Sequence, residues 1–195
     1  MRVLASSLIA ATVFAAAPAD ASVIVTVSAF NNSTTGGTAA VTGLTFAPGR
    51  KFRITSSTND LWSSGVLPRF SDANGLTGNR FAIAGDDSGQ APGTLIGTNF
   101  GLYAQGNLSA PFGALVAVLG PNQFQLLGAN GIFTSQGGPL NLGYFDSNNF
   151  DNAGEISFAI SAVPEASTWA LMIVGFAAIG AGMRGRRKVS VAFAG

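Results

Sequence analysis

Three regimes of hydrophobic patterning follow one another along the chain. Val3 to Ala17 is a short, alanine-rich apolar stretch. From Ser22 to Ala162 apolar positions come in short runs separated by Gly, Asn, Ser, Thr and Pro. Ala166 to Met183 is then an uncharged run holding Trp169, Leu171, Met172, Ile173, Val174, Phe176 and Ile179. Runs of strand length bounded by turn residues predict strands in the middle regime. These fall at Val23 to Phe30, Val41 to Phe46, Lys51 to Ser56, Arg80 to Ala84, Leu95 to Thr98, Ala114 to Leu119, Phe124 to Leu126, Gly131 to Phe133, Leu140 to Tyr144 and Glu155 to Ile160. Side chains two apart share a strand face, so Phe52 with Ile54, and Ile156 with Phe158 and Ile160, each define a buried side.

Ala47-Pro48-Gly49 and Gly120-Pro121-Asn122 lie between predicted strands and carry turn chemistry. Closely spaced short strands with Gly/Pro turns predict an all-β fold, a jelly-roll-like β-sandwich over residues 22–162. A disordered matrix segment would share the Gly and Asn content, but the chain's 15 phenylalanines and its regular apolar runs favour a packed core.

The two ends read as addresses. Residues 1–21 have a basic start at Arg2, the apolar stretch, a break at Pro18 and the small-x-small sequence Ala19-Asp20-Ala21. This predicts a signal helix cleaved by signal peptidase before Ser22. As a helix, 166–183 would extend about 27 Å at 1.5 Å per residue, close to a hydrocarbon core of about 30 Å. Trp169 sits at one edge, and Arg184, Arg186, Arg187 and Lys188 close the other. Such a cluster stays cytoplasmic, so a transmembrane helix here places the body outside and the 189–195 tail inside.

Composition removes many functions. Histidine and cysteine are absent, and with them the common ligands of zinc, haem and iron–sulfur centres, the commonest general base and the thiol nucleophile. No disulfide framework is possible, so the core must hold itself together. Between Ser22 and Ala162 the cations are Arg50, Lys51, Arg53, Arg69 and Arg80, outnumbered by Asp60, Asp72, Asp86, Asp87, Asp146, Asp151 and Glu155. A nucleic-acid binder would carry a basic face instead. Asp86 and Asp87 adjoin in a Gly-flanked loop and read as a solvated turn rather than a glycosidase pair. The serines have no histidine partner and no Ser-x-x-Lys spacing, and no glycine run forms a phosphate loop. Nothing in the sequence argues for an enzyme.

The segment Val163-Pro164-Glu165-Ala166-Ser167-Thr168-Trp169-Ala170, its apolar run and the Arg-rich stop resemble the PEP-CTERM sorting signal in its PEPxxWA variety. The resemblance covers residues 163–188, with Ala166 where a second proline is usual. It implies recognition by an exosortase, a membrane-embedded cysteine protease, with Val163, Pro164, Glu165, Trp169 and Ala170 as the sorting motif. It further implies a transient inner-membrane anchor, followed by delivery to the cell surface or the exopolysaccharide matrix. Pro164 and Glu165 also suit a helix start on general grounds.

A second resemblance lies within the body. Gly43-Leu44-Thr45-Phe46-Ala47-Pro48-Gly49, the Gly113-Ala114-Leu115-Val116 strand, and Asp146 to Gly154 before an alternating last strand look like small calcium-dependent, galactose-binding bacterial lectins. It implies calcium held by Asp146, Asp151 and Asn152, with Asn148 or Asn149 adding an oxygen and Ser64 a carbonyl. A donor set of carboxylates, amides and carbonyls suits calcium, although the spacing is not that of an EF-hand. Composition alone explains the same loop as turn formers bonding to backbone. Trp62 is a candidate sugar-stacking platform, or else a core aromatic.

The expectation is an exported, non-catalytic surface or matrix protein with a carbohydrate-binding, calcium-assisted domain. Its alternatives are a purely structural matrix protein and a hydrolase with an unrecognised carboxylate site.

Overall fold

The computed structural model describes residues 22–164 and 166–185, without the side chains of 166–169 and 185. The expected signal helix, Glu165, the Trp169 side chain, Arg186, Arg187, Lys188 and the 189–195 tail lie outside the described residues.

The strands in chain order are β1 (Val23–Ser28), β2 (Ala40–Phe46), β3 (Lys51–Thr55), β4 (Trp62–Ser63), β5 (Phe70–Ser71), β6 (Arg80–Phe81) and β7 (Leu95–Gly97). They continue with β8 (Leu102–Gln105), β9 (Leu108–Pro111), β10 (Ala114–Gly120), β11 (Gln123–Leu126), β12 (Asn130–Thr134), β13 (Gly138–Phe145) and β14 (Ala153–Ala162). A helix, α1 (Ala166–Gly185), follows.

β14 is the spine of the larger sheet. β1 runs antiparallel along one of its edges, from Val23 opposite Ile160 to Ser28 opposite Glu155. Its other edge is shared, with β3 pairing at 159–162 and β4 at 153–154. Between those two ladders the Ser157 N–H would lack a strand partner, and the Asp60 carboxylate accepts it at 2.9 Å. β12 extends the sheet beyond β3, and β5 extends it beyond β4. The Val163 N–H reaches the Lys51 carbonyl at 2.8 Å, so pairing lasts to the end of the body.

The second sheet has the order β11-β10-β13-β2. Val27, Phe52, Ile54, Ile156, Phe158 and Ile160 of the first sheet pack with Phe46, Leu115, Ala117, Leu140, Leu142 and Tyr144 of the second. This is the expected all-β sandwich, and the alternation in β3 and β14 faces the interior as the sequence pattern requires. Burying each Val, Leu, Ile or Phe among them stabilises the fold by about 1.5–3 kcal/mol. Phe158→Ala alone would cost about 3–5 kcal/mol.

β10 reads as unbroken apolar sequence because both its faces are covered. Leu115 and Ala117 enter the main core, whereas Val116 joins Phe124, Phe145 and Ala110 in a second cluster that Tyr103 and Leu108 complete. Tyr103 and Leu108 come from the β8–β9 hairpin, an element with no place among the predicted strands. Its signal was a Gly106-Asn107 turn, with Gly106 at φ 57° and Gln105 opposite Leu108. The two predicted turns form as expected: Arg50 N–H bonds to Ala47 C=O at 3.2 Å, and Asn122 adopts φ 55°.

Arg184 lies in the last turn of the 20-residue helix α1. Leu171, Ile173, Val174, Phe176, Ile179 and Met183 are exposed around its circumference. Among the described residues no helix is long and apolar enough to cross a membrane. The expected span at 166–183 is met as a helix, and a membrane crossing is not shown for it.

Candidate functional site

The connection from β13 to β14 carries Asp146 to Asn152, and the segment after β1 holds it in place. Ser33 Oγ donates to the Asn148 carbonyl at 3.1 Å, and Thr34 Oγ1 donates to the Asp146 carbonyl at 3.3 Å. Asn149 Nδ2 donates to the carbonyls of Phe30 at 3.2 Å and Gly36 at 3.1 Å. Asn149 is thus spent on fastening the loop. Between the two asparagines left open by the sequence, its neighbour Asn148 is the one with a buried Oδ1 lacking a hydrogen-bond partner.

Asn152 is 6% exposed, and its amide nitrogen donates to Ala29 C=O at 3.3 Å and to Asn148 C=O at 2.9 Å. Two carbonyls fix which end of that amide is nitrogen. Its Oδ1 is buried with no partner. Asp146 is 3% exposed, and Oδ1 accepts from Ser147 N–H at 2.6 Å. Burial pushes the Asp146 carboxyl above its ordinary range, and the charge of Asp151 adds to this against the hydrogen bonds of Ser147 and Asn152. Buried amide oxygens without hydrogen-bond donors of their own, in one loop with a desolvated carboxylate, are the oxygen types that calcium takes.

Ser64 approaches the same region through Tyr144. Its hydroxyl shares a hydrogen bond with the Tyr144 hydroxyl. Burial drives that phenol well above its ordinary value, Ser64 opposes this, and Asp146 and Asp151 add to it. The Ser64 carbonyl accepts from Arg69 Nη1 at 3.3 Å, and the same nitrogen lies 3.9 Å from Asp151 Oδ2. Gly65 makes this approach possible. It has φ 122°, and a Cβ there would stand 2.7 Å from Asp151 Oδ2.

Trp62 is corrected. It is fully buried, its ring meets Tyr144 and Phe158, and its indole N–H donates to Gly113 C=O at 2.8 Å. No sugar face can reach it, because the ring lies inside the main core between the two sheets, with Leu115, Tyr144, Ile156 and Phe158. The most exposed aromatic of the loop region is Phe150, within the loop itself and 79% exposed, which sequence reasoning did not single out. Its signal was a large apolar residue in an otherwise polar Asp/Asn stretch. Arg69 was also missed, as nothing local in sequence ties it to Asp151.

Among the described residues no three His, Cys, Asp or Glu side chains group as a metal cluster. A site here would rest on two carboxylates supplemented by amide and carbonyl oxygens, a set that calcium accepts and zinc does not favour. Asp86 is the turn former expected of it, accepting from Ile83 N–H at 2.7 Å and from Ser88 N–H at 3.1 Å. Asp87 instead reaches Leu61 N–H at 3.2 Å. A separate cleft of about 330 Å³, lined by Ser33, Thr34, Gln105 and Phe124 among others, contains none of the predicted site residues.

A comparison with family profiles settles the tail. Residues 162–188 match the PEP-CTERM protein-sorting motif. The chain carries a PEP-CTERM tail. The match takes in Val163, Pro164, Glu165, Trp169 and Ala170 and ends at Lys188, so the basic stop Arg184, Arg186, Arg187 and Lys188 lies within the motif. A PEP-CTERM motif implies an exported surface protein processed by an exosortase. No curated protein matches the sequence. Among solved structures, one named "EclA N-terminal domain; PllA-like lectin" covers 75% of this chain and 100% of its own, at 22% identity and a TM-score of 0.44. A likeness that distant carries no argument about the site.

Proposed function

We propose that residues 22–162 form a non-catalytic, calcium-assisted carbohydrate-binding domain, delivered to the cell surface by the PEP-CTERM tail. The observation that supports it is the pair of buried, partnerless amide oxygens of Asn148 and Asn152 in the same loop as the buried Asp146 carboxylate. Leaving such oxygens unmet costs about 1–3 kcal/mol each, a cost that an ion removes. Asp146, Asn148, Asp151, Asn152 and the Ser64 carbonyl would hold calcium. Bound there, the ion supplies Lewis-acid coordination to vicinal sugar hydroxyls. The chain's own contribution is a rigid frame: Asn149, Ser33 and Thr34 fix the loop backbone, and Phe150 offers an apolar surface to the C–H face of a ring.

Glycan-array binding by the full chain with calcium and with chelator tests this reading. Binding that chelator abolishes, and that Asp151→Ala removes, is expected. A chain that binds no glycan under either condition would instead be a structural matrix protein, and carboxylate-dependent turnover of glycosides would make it a hydrolase.

The helix is proposed as the transient anchor. Its apolar side chains are exposed on all sides, a pattern that calls for either a protein core or lipid, and Arg184 ends it. Cleavage of residues 1–21 by signal peptidase completes the route. Mass spectrometry of the protein recovered from its native surface should show a start at Ser22 and an end near Pro164. An intact chain with both ends present would reject the route.

A further inference from the structure

Arg69 is held in a way that the loop's own needs do not explain. Its guanidinium lies over the ring of Phe100, 4.4 Å from the centroid, and both of its polar contacts, to Ser64 C=O and to Asp151, run through Nη1. The aromatic face beneath it and one hydrogen bond hold the group in place while the other nitrogens of the fork carry neither polar contact. The side chain is 35% exposed, so those nitrogens are neither locked in the core nor free to sweep through solvent. The other cations of the body lie elsewhere in the fold: Arg80 pairs with Asp72 at 3.1 Å, and Arg50, Lys51 and Arg53 are at or beside β3.

The charge balance makes this placement informative. The Asp146 and Asp151 carboxylates and one calcium ion cancel, leaving the charge of Arg69 as the net charge of the site. A neutral sugar has no use for it. A planar guanidinium with open donors is the group that pairs with a carboxylate through two parallel hydrogen bonds.

We infer that Arg69 selects acidic sugars, so that the ligand is a uronate-bearing glycan whose hydroxyls meet the ion and whose carboxylate meets the Arg69 fork. This rests on the calcium-assisted reading above and deepens it. Phe100 is then the positioning residue that keeps the fork flat and aimed. Phe150 and the exposed Val66, next to Asp151 and Gly65 in sequence, border the site with apolar surface.

The test uses sugar pairs that differ only at C6: galactose with galacturonate, glucose with glucuronate, and mannose with mannuronate. Each is titrated against the calcium-loaded full chain, and the ratio of affinities within a pair is read. The expected result is a uronate preference of about tenfold or more in at least one pair. In Arg69→Gln that ratio should fall to near one. In Arg69→Lys, which keeps the charge but not the fork, it should fall to an intermediate value. Calcium titration of Arg69→Gln is the second readout. Removing a cation that shares Ser64 C=O and Asp151 with the ion should tighten calcium binding at least twofold. Should Arg69→Gln fail to fold, as its melting curve would show, Phe100→Leu takes its place and should lower the uronate ratio with the charge intact. Equal affinities within every pair, an unchanged ratio in the variants, or calcium binding no tighter in Arg69→Gln overturns the acidic-sugar assignment while leaving the calcium site standing. Absence of binding by both members of every pair overturns this inference and the carbohydrate reading together.

Discussion

The ring of Trp62 meets that of Tyr144 edge-on, at 84° with centroids 4.7 Å apart, and this contact ties β4 of one sheet to β13 of the other. Both rings are fully buried, and both carry a polar group that has found a partner: the indole N–H on Gly113 C=O, the phenol on Ser64 Oγ. The pair is a structural joint directly beneath the candidate site. Trp62→Phe keeps an aromatic but leaves the Gly113 carbonyl unmet, so it should destabilise the chain by about 1–3 kcal/mol. Denaturant unfolding of the two proteins measures the difference. An unchanged midpoint would place the indole outside the core.

Asn148→Ala separates a ligand role from a structural one. The Oδ1 that it removes has no hydrogen-bond partner, so the ion-free protein should melt at or slightly above the wild-type temperature. Calcium affinity should fall at least tenfold. A variant that melts lower without calcium and shows unchanged calcium binding would make Asn148 a turn residue only.

Gly65→Ala should act more severely on the same site. The backbone at φ 122° disfavours any side chain, and the new methyl would press on the Asp151 carboxylate. Calcium binding is expected to weaken at least tenfold, with a loss of stability of about 1–3 kcal/mol. Calorimetry together with a thermal melt reads both quantities, and wild-type values in each would refute the convergence of Gly65, Asp151 and Arg69.

How far the sequence reveals this molecule depends on how local the cause is. Phe52 with Ile54, and Ile156 with Phe158 and Ile160, announced their strands because alternation is a property of neighbours. Pro48-Gly49 and Pro121-Asn122 announced turns for the same reason. The strands β4, β5, β8 and β9 are too short to show a period, and they exist because longer strands offer them an edge or a face. The Asp146 to Asn152 loop was legible as oxygen-rich chemistry, but the choice between Asn148 and Asn149 was not. It depends on the carbonyls of Phe30 and Gly36, which only the fold brings near. Trp62 misled for a related reason: a polar neighbourhood in sequence, Asn59-Asp60 before it and Ser63-Ser64 after, says nothing of the strands that close over it. Arg69 gains its meaning wholly from tertiary placement.

Asp60 predicts a pH effect remote from the calcium loop. Burial raises its carboxyl above the ordinary 3.8, Ser157 N–H opposes this, and the neighbouring Asp87 and Glu155 add to the rise. The folded chain therefore holds this proton more tightly than the unfolded chain. The stability it contributes is fully present below the unfolded value and is lost as pH climbs through the folded one. Asp60→Asn retains an oxygen for Ser157 N–H and carries no charge. It should flatten stability across the window just above 3.8 and melt higher than wild type at neutral pH. Melts across that window check this, and parallel curves for the two proteins would contradict it.

Calcium calorimetry on the full chain tests the central claim most directly. One saturable ion per chain is predicted, with a dissociation constant in the range of about 0.1–1 mM typical of extracellular modules, and with a melting temperature that rises as the ion is added. No heat and no melting shift at several millimolar calcium would mean that Asp146, Asn148, Asp151 and Asn152 form a turn and not a metal site.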